Sequence, residues 1–448
     1  MRIYGLKNAK KIYFLGIGGV SMSALAQFLS VQGYEVYGSD AVNNEYVQRL
    51  RALGIKTYEG VDATREELLA CDVLVYTDAI APSNAEYACA VQQNKQIIGR
   101  AELLKMICEQ FPHSISVAGS HGKTTCTSMC AHALKSCGVP FTAHIGGEDT
   151  RFGNFYYGGD AYFLTETCEY KRNLLKMQAE CAILLNVDND HMECYADEND
   201  LTECFYRYCQ AAKTAFVCAD DPRCKEMGDF VTFGIKNPLA DYRAIDLRSS
   251  AEKYSFTVEE YGNPLCRVRL QAIGRHNIYN ALAAFSVMRS YGFDEREITQ
   301  GLQSFQAVKR RFEKIGTYNG ASLICDYAHH PKEIAATLDT AENVCKGKLY
   351  TVFQPHTYSR TKLLMSEFVQ TLKRVKNLVI YATYPAREKF DEEGSAQTLC
   401  QKIGSCLYAE NLSVLTTWLK STVKEGDTVL FLGAGDIYYA AQYIAKSR

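Results

Sequence analysis

The fold is decided by the stretch Ile115-Ser116-Val117-Ala118-Gly119-Ser120-His121-Gly122-Lys123-Thr124-Thr125, an apolar run followed by a loop between glycines. The run predicts a buried strand, and the Thr-, Ser-, Ala- and Cys-rich segment after the loop predicts a helix. A Gly-Lys-Thr-Thr sequence at such a junction is typical of a P-loop, whose backbone N–H groups hold phosphate oxygens. In that loop a lysine neutralises phosphate charge and a threonine hydroxyl can bind Mg²⁺. The strict eight-residue pattern needs glycine at Val117, so we predict a shortened nucleotide-binding loop.

Outward from this loop, strand-like runs alternate with helical stretches along the 448-residue chain. This alternation predicts α/β layers built on parallel sheets. Three blocks each open with a strand, in agreement with a length of roughly 150 residues per domain. We therefore predict three domains with bounds 1–108, 109–306 and 307–448. The first and third are expected to be Rossmann-like, and the central one a P-loop ATPase-like parallel-sheet domain.

The first block carries a glycine turn after its opening strand. Gly16, Gly18 and Gly19 lie between the strand Lys11–Leu15 and a helix that runs from about Ser21 to Gln32. Glycines in this place let a diphosphate approach the backbone at a helix N-terminus. Ser39 and Asp40 end the second strand, where an acid can bind a ribose hydroxyl. Because Ser21 stands where the third glycine is usual, a tight turn without a ligand remains an alternative.

Two polar groups follow the next strands of the central block. Glu166 comes after Tyr162–Thr165, and Asp190-His191 follow the apolar run that begins at Cys181. Side chains at the carboxyl ends of parallel strands point into a shared crevice. Together with Thr124, Glu166 and His191 are predicted to bind Mg²⁺, or Mn²⁺ because imidazole is an unusual magnesium ligand. A surface acid and a capped loop histidine are the alternatives.

In the third block, the segments with Asp326 and with His356 and Arg360 each follow a strand, and Arg310-Arg311 lie at the block boundary. The charged donors among these residues are suited to a phosphate or a carboxylate. For the two consecutive arginines, a solvated charge run is the alternative.

Composition excludes several classes of protein. The 49 basic and 51 acidic side chains give a net charge of −2, which disfavours a nucleic-acid binder. No uncharged apolar stretch is long enough to span a bilayer, so we predict no membrane insertion. The 18 cysteines contain no Cys-x-x-Cys pair, which favours buried thiols in the cytoplasm over a zinc or disulfide site. The expected partners are small molecules, with the chain a monomer or homodimer.

The motifs together resemble the Mur ligase family, in order and over nearly the whole chain. The matching stretches are Gly16–Gly19 with Met22–Ala26, Gly38–Asp40, Arg100–Leu104, the loop with His121 before Gly122-Lys123-Thr124, Glu166-x-Cys168-Glu169-Tyr170, Asp190-His191, Gly274-x-His276-Asn277-x-x-Asn280, Arg310–Phe312, Asp326–Pro331, Gln354–His356 with Arg360-Thr361, Tyr384–Glu388 and Gly433–Ile437. His121 and His329-His330-Pro331 point to the alanine-adding branch. The chain departs at Cys325, where the family usually has an acid. It also lacks a lysine between His191 and Lys213, where sister ligases use a carbamylated lysine.

The resemblance implies an ATP-dependent amide ligase of cytoplasmic peptidoglycan synthesis. It would join L-alanine to the muramoyl carboxylate of UDP-N-acetylmuramate through an acyl phosphate, with ADP and phosphate released. The resemblance implies catalytic roles for Lys123, Glu166, His191 and Arg311, and metal binding by Thr124, Glu166 and His191. It implies ATP binding by Gly119 to Thr125, His276, Asn277, Asn280, Arg311 and Asp326. It also implies UDP-sugar binding by Gly16, Gly18, Gly19, Ser39 and Asp40, and carboxylate binding by His356 and Arg360. The third block would close the site over the acyl phosphate and exclude water.

Other functions are weighed against this one. A nicotinamide-dependent dehydrogenase would use the glycine turn but leaves the Gly-Lys-Thr loop unexplained. A P-loop kinase would release a stable phosphorylated product, and a non-catalytic UDP-sugar binder would release no ADP. The nearest alternative is a sister ligase that attaches a whole peptide to the same sugar. The amino-acid stringency and the base that deprotonates the amine are not assigned by the sequence.

Overall fold

The computed structural model describes residues 3–250 and 253–447. The chain forms two compact units. Unit 1 comprises Met1–Leu247, Ser255–Arg269 and Asn277–Phe305, and unit 2 comprises Arg248–Tyr254, Leu270–His276 and Gln306–Arg448. Within the described ranges, no helix is both long and apolar enough to cross a membrane.

A five-stranded parallel sheet begins unit 1. Its strands are β1 (Lys11–Leu15), β2 (Glu35–Asp40), β3 (Lys56–Glu59), β4 (Val73–Tyr76) and β5 (Gln96–Gly99). Its helices are α1 (Val20–Val31), α2 (Glu45–Ala52), α3 (Glu66–Leu69), α4 (Ala85–Gln92) and α5 (Arg100–Cys108). The strand order is β3-β2-β1-β4-β5, with all neighbours parallel. The glycine turn after β1 therefore lies where the strand order reverses, which is where open α/β sheets bind ligands.

The second sheet has ten strands, and the P-loop joins one of them to a helix. The strands are β6 (His113–Ala118), β7 (Phe141–Asp149), β8 (Gly153–Tyr157), β9 (Tyr162–Glu166), β10 (Cys181–Leu184), β11 (Thr214–Cys218), β12 (Val231–Gly234), β13 (Tyr242–Ser250), β14 (Lys253–Glu260) and β15 (Asn263–Leu270). Their order is β15-β14-β13-β12-β11-β10-β6-β9-β7-β8. The helices are α6 (Lys123–Ser136), α7 (Glu198–Gln210), α8 (Pro222–Lys225), α9 (His276–Ser290) and α10 (Glu295–Ser304), with 3₁₀ segments at Tyr170–Lys176 and Met192–Cys194.

The third sheet lies in unit 2. Its strands are β16 (Glu313–Tyr318), β17 (Ala321–Asp326), β18 (Leu349–Phe353), β19 (Leu378–Tyr381), β20 (Leu407–Ala409) and β21 (Thr428–Leu432), in the order β16-β17-β21-β18-β19-β20. Its helices are α11 (Pro331–Val344), α12 (Tyr358–Leu363), α13 (Met365–Leu372), α14 (Ala396–Ile403), α15 (Leu412–Thr422) and α16 (Ile437–Lys446), with a 3₁₀ segment at Glu392–Gly394. Apolar side chains pack on both faces of this sheet, as expected for parallel strands covered by helices.

The prediction of parallel sheets needs one correction. β8 pairs antiparallel with β7, and β16 pairs antiparallel with β17, so the second and third sheets are mixed. Each pair is joined by a short connection, and antiparallel strands can be joined by a tight turn whereas parallel strands need a crossover. The α/β class and the parallel centre of each sheet are confirmed.

The prediction that no cysteines pair is also wrong at one place. Cys400 in α14 and Cys406 form a disulfide with a Cα–Cα distance of 6.0 Å. Gly404 ends α14 in the left-handed region at φ +78° and reverses the chain, which returns Cys406 to Cys400. The other sixteen cysteines are free thiols, and most are buried.

Candidate active site

The P-loop joins β6 to α6 and depends on two glycines. Gly119 and Gly122 have φ of +137° and +86°, which disfavours any residue with a side chain. A Cβ at Gly122 would lie 2.7 Å from Asn280 Oδ1. Asn186 Oδ1 accepts from the His121 N–H at 2.8 Å and fixes the loop to the end of the neighbouring strand. The loop is therefore rigid, as phosphate binding by backbone amides requires.

Asp188 provides the other support for this loop. The Asp188 N–H donates to Ser120 Oγ at 2.8 Å, and Asp188 Oδ2 lies 3.1 Å from His121 Nε2. Thr125 is buried in the first turn of α6. His121 is thus held by a carboxylate rather than extended into solvent.

Lys123 is paired with an acid, Glu169, for which no role was predicted from the sequence. Its Nζ lies 3.1 Å from Glu169 Oε2 and donates to Ser120 O at 3.1 Å. Burial alone would lower the pKa of Lys123, but Glu169, Cys168 and Glu166 together outweigh burial and raise that pKa above its usual value. Glu169 is itself only 1% exposed, so the pair is buried. Its place three residues after Glu166, within a motif already matched, was the signal that it belongs to the site.

Glu166 and Thr124 form a pair of oxygen donors at the start of α6. The Thr124 hydroxyl donates to Glu166 Oε2 at 2.9 Å. Glu166 lies over Gly146 of β7, where a Cβ would be 1.2 Å from Glu166 Oε1. Gly146 therefore makes the space that the carboxylate occupies. A hydroxyl and a carboxylate next to a P-loop are donors that suit Mg²⁺, so the residues fit the predicted metal.

His191 lies in a second group of acids. Ligand atoms of Glu169, Asp190 and His191 lie within 4.8 Å of one another. His191 has a left-handed backbone at φ +55°, and its Nδ1 is 3.5 Å from Glu193 Oε1. Burial lowers the pKa of His191, but Cys168, Glu193 and Asp190 outweigh it and raise the pKa to about 10. The candidate metal donors thus form two groups, Thr124 with Glu166 and His191 with Glu169 and Asp190. Lys123, next to Thr124 in sequence, links the groups through its ion pair with Glu169.

Three of the residues predicted to bind ATP lie on α9, which passes beside the loop at Asn280. Asn280 faces Gly122, and its Nδ2 donates to Asn277 Oδ1 at 3.0 Å. Both asparagines are buried. His276, which begins α9, lies against Gly274, where a Cβ would be 2.5 Å from its Cε1. The structure therefore brings Asn280 to the P-loop.

The glycine turn of the first sheet is closed by side chains of its own domain. The Gly18 N–H donates to Asp40 Oδ2 at 2.8 Å, and Asn44 Nδ2 donates to Gly18 O at 2.9 Å. The Ser39 hydroxyl donates to Glu86 Oε2 at 2.7 Å, and Ser39 is buried. Asp40 therefore shapes the turn, and contact of Ser39 and Asp40 with a UDP-sugar stays a prediction.

The two consecutive arginines of unit 2 have different surroundings. The Arg310 guanidinium lies 4.9 Å from the Tyr327 ring and 5.1 Å from the Tyr438 ring, and it donates to Gly435 O at 2.7 Å. The solvated charge run is therefore wrong for Arg310. Arg311 lies 5.0 Å from the same Tyr327 ring.

Asp326, at the end of β17, supports this arginine turn. Its Oδ2 accepts from the Phe312 N–H at 2.7 Å and its Oδ1 from the Ala328 N–H at 2.8 Å. Burial raises the pKa of Asp326, and the charge of Arg311 opposes that shift. The geometry gives Asp326 a structural role, while its contact with ATP stays a prediction.

His356 and Arg360 lie together, as predicted for a carboxylate site. Arg360 Nη1 is 3.4 Å from His356 Nδ1 and donates to His356 O at 3.2 Å. Burial and the Arg360 charge lower the pKa of His356 to about 4, so the ring is neutral at physiological pH. Its ring stacks on Tyr384 at 5.4 Å and meets the edge of His329 at 5.8 Å. Tyr384 and His329 lay in matched motifs but had no assigned role.

Three family models match consecutive parts of the chain. They are the Mur ligase family catalytic domain at residues 11–112, the Mur ligase middle domain at 117–288 and the Mur ligase glutamate ligase domain at 310–435. UDP-N-acetylmuramate–L-alanine ligase of Caldanaerobacter subterraneus subsp. tengcongensis is 37% identical over 447 residues, which cover 97% of this chain and 96% of that protein. The chain belongs to the Mur ligase family. This Mur ligase is an ATP-dependent ligase, so the dehydrogenase and kinase alternatives are not supported.

Solved structures agree with the assignment of this Mur ligase. The crystal structure of UDP-N-acetylmuramate–alanine ligase from Thermotoga maritima has a TM-score of 0.84 and 28% identity, covering 97% of this chain and 98% of that one. A murein peptide ligase from Psychrobacter arcticus has a TM-score of 0.76 at 22% identity, with coverage of 97% and 98%. The second likeness supports the Mur ligase fold alone. The predicted three-domain α/β architecture is confirmed, while the residue bounds of the domains stay a prediction.

Proposed function

We propose that this Mur ligase joins L-alanine to the muramoyl carboxylate of UDP-N-acetylmuramate and cleaves ATP to ADP and phosphate, a step of peptidoglycan synthesis. The observation that carries the proposal is its similarity, over almost the full chain, to UDP-N-acetylmuramate–L-alanine ligases. The substrates are all small molecules. We place the reaction in the cytoplasm, where ATP and nucleotide-sugars are available, in a monomer or homodimer.

The chemistry explains why ATP is needed. A carboxylate is a poor electrophile, so a muramoyl oxygen first attacks the γ-phosphorus and displaces ADP. The resulting acyl phosphate has a good leaving group, and the alanine amine attacks its carbonyl carbon. Collapse of the tetrahedral intermediate forms the amide and releases phosphate with the original carboxylate oxygen. The barrier lies in bringing anionic groups together, so fixed positive charge and positioning account for catalysis.

The P-loop and Lys123 supply that charge. Without nucleotide, Glu169 and the carbonyl of Ser120 satisfy the buried ammonium. The raised pKa keeps Lys123 charged at any physiological pH. When ATP binds, its β- and γ-phosphates take the place of Glu169 as counterion. The loop amides then hold the phosphates in line for attack.

Two groups of side chains would hold divalent metal. Thr124 and Glu166 offer a hydroxyl and a carboxylate at the start of α6, and His191 lies with Glu169 and Asp190. Bound Mg²⁺, or Mn²⁺ at the site with imidazole, would offset the charge that develops on the transferred phosphoryl group. Gly146 keeps the Glu166 carboxylate in place for that task.

The substrate carboxylate is assigned to unit 2. Arg360 offers a planar cation that can bind a carboxylate through two N–H groups. The neutral His356 beside it adds a hydrogen bond without competing for the same charge. Its stacking on Tyr384 holds the imidazole in one orientation. These features suit the carboxylate of alanine or of the muramoyl group.

One assay tests the proposal and its nearest alternative. Purified protein is incubated with ATP, Mg²⁺ and UDP-N-acetylmuramate, and ADP release is measured after addition of L-alanine, glycine, L-serine or the tripeptide. We expect ADP release with L-alanine and a new UDP-sugar product by mass spectrometry. Oxygen-18 in the muramoyl carboxylate should appear in the released phosphate. ADP release with the tripeptide alone would overturn the proposal in favour of a peptide-adding ligase.

A further inference from the structure

Strand β7 contacts both ligand-binding regions of unit 1. It lies between β9 and β8 in the central sheet, and its residues pair with β9 in parallel register. His144, Gly146 and Glu148 lie where the register of this strand with β8 shifts. Each of these three residues meets a different part of the site.

His144 is buried and has a hydroxyl partner on each ring nitrogen. Its Nε2 lies 2.8 Å from Ser21 Oγ, at the start of α1 directly after the glycine turn. Its Nδ1 lies 2.9 Å from Thr165 Oγ1, and the Thr165 hydroxyl donates to Glu166 O at 3.0 Å. A neutral imidazole is one donor and one acceptor, so it can join two hydroxyls in a single chain. Burial and the charge of Arg100 lower the pKa of His144 to about 3, which keeps it neutral.

Gly146 and Glu148 make further contacts from the same strand. The Glu166 carboxylate occupies the space over Gly146. Glu148 Oε2 accepts from Arg49 Nη1 at 2.9 Å, which ties the strand to α2. From β8, Asn154 Nδ2 donates to Val20 O at 2.8 Å, at the first residue of α1. The hairpin of β7 and β8 therefore holds the helix that follows the glycine turn and also the acid that faces Thr124.

We propose that His144 is a positioning residue that couples occupancy of the glycine turn at residues 16–19 to the placement of Glu166. The inference rests on the proposed function, because it takes the turn as the UDP-sugar site. Sugar-nucleotide binding fixes the start of α1 and with it Ser21. The link through His144 and Thr165 then fixes the backbone at Glu166, so the metal–nucleotide site becomes ordered together with the turn. Coupling of this kind is reciprocal, so bound Mg²⁺–nucleotide also tightens UDP-sugar binding.

Titration calorimetry tests the coupling without turnover. Affinity for the Mg²⁺ complex of a non-hydrolysable ATP analogue is measured with and without saturating UDP-N-acetylmuramate. In the natural protein we expect the UDP-sugar to tighten binding at least fivefold, within the usual range for coupled sites. In His144→Phe the ratio of the affinities with and without UDP-N-acetylmuramate should fall to within twofold of one. Affinity for the analogue alone should stay within twofold of the natural protein, which a merely structural loss of fold would not allow.

Four further variants test the separate hydrogen bonds that join Ser21, His144 and Thr165. Asn can reproduce the Nδ1 contact of histidine and Gln the Nε2 contact, so His144→Asn and His144→Gln each retain one link. Both should lose coupling, because the chain needs both hydroxyls. Ser21→Ala removes the first hydroxyl without entering the core and should act like His144→Phe, which covers the case in which the buried variant fails to fold. Ser30→Ala, at the far end of the same helix, is the matched control and should keep the natural ratio.

The outcomes separate this inference from the proposed function. Absence of ADP release with L-alanine in the natural protein would refute the function. Alanine-dependent turnover together with natural coupling in Ser21→Ala and His144→Phe would overturn the role of His144 alone. Absence of any coupling in the natural protein would overturn it too.

Discussion

Replacing Gly146 by alanine should strongly reduce activity while leaving the fold intact. The new Cβ would lie 1.2 Å from Glu166 Oε1, and real Cβ atoms essentially never approach closer than 3.0 Å. The carboxylate must therefore retreat by about 1.8 Å, the difference between these two distances. A glutamate side chain can make this movement by rotation, so the backbone of β7 has no need to shift. Since glycine weakens a strand by roughly 0.5–1 kcal/mol relative to alanine, the melting temperature should hold or rise slightly.

The loss of activity follows from that displacement. A misplacement of about 1 Å at a reacting centre can cost about 100-fold in rate, so we expect kcat/KM to fall at least about 100-fold. The assay is ADP release with UDP-N-acetylmuramate and L-alanine over a range of Mg²⁺ concentrations. Half-maximal activity should also need more Mg²⁺, because the displaced Glu166 is a proposed metal ligand.

A matched control is available in the first sheet. Gly99 ends β5, and a Cβ there would meet Tyr76 only at an ordinary 3.9 Å. Gly99→Ala should therefore keep both activity and Mg²⁺ dependence. Turnover by Gly146→Ala close to that of the natural protein would show that Glu166 is not positioned by the space over residue 146, and the assignment of the metal site would be wrong.

Three further predictions follow from the same geometry. Lys123→Ala should lose ADP release yet still bind UDP-N-acetylmuramate in calorimetry, because the proposed role of the lysine is to bind the ATP phosphates; normal turnover would refute that role. Glu169→Gln leaves a buried ammonium without its counterion, so denaturant unfolding should show a loss of about 3–5 kcal/mol, and an unchanged midpoint would contradict a buried pair. The pKa of His356 is lowered to about 4 in the folded protein, so as pH falls this residue takes up a proton first in the unfolded protein. Stability from His356 is therefore complete above about pH 6.5 and declines towards pH 4, and His356→Gln should flatten that acid limb of the unfolding curve; an unchanged slope would argue against a neutral, buried ring.

Continuous apolar runs allowed much of the fold to be predicted. The strands β18, β19 and β21 are each a short hydrophobic run between polar turns, so the sequence itself marks where they begin and end. The P-loop was predicted because its glycines, lysine and threonine are adjacent in sequence. β10 ends at Leu184 although apolar residues continue at Leu185 and Val187, because the chain leaves the sheet to support the loop through Asn186.

Contacts between residues distant in sequence could not be predicted in this way. Ser21 and His144 are 123 residues apart, and neither belongs to a motif that names the other. The ion pair of Lys123 with Glu169 likewise needs the order of the strands before it can be inferred. Helix α9 begins with two polar residues, His276 and Asn277, so no apolar pattern marks its start in the sequence.

The antiparallel edges of the two mixed sheets bear on the order in which the chain can fold. β7 with β8, and β16 with β17, are neighbours in sequence, so little chain entropy opposes their pairing. Hairpins of this kind form in about 1–10 μs, whereas parallel pairing of β6 with β9 must wait for a crossover. The ribbon that carries His144 and Gly146 can thus exist on the nascent chain before β9 and Glu166 have been synthesised, ready to receive them.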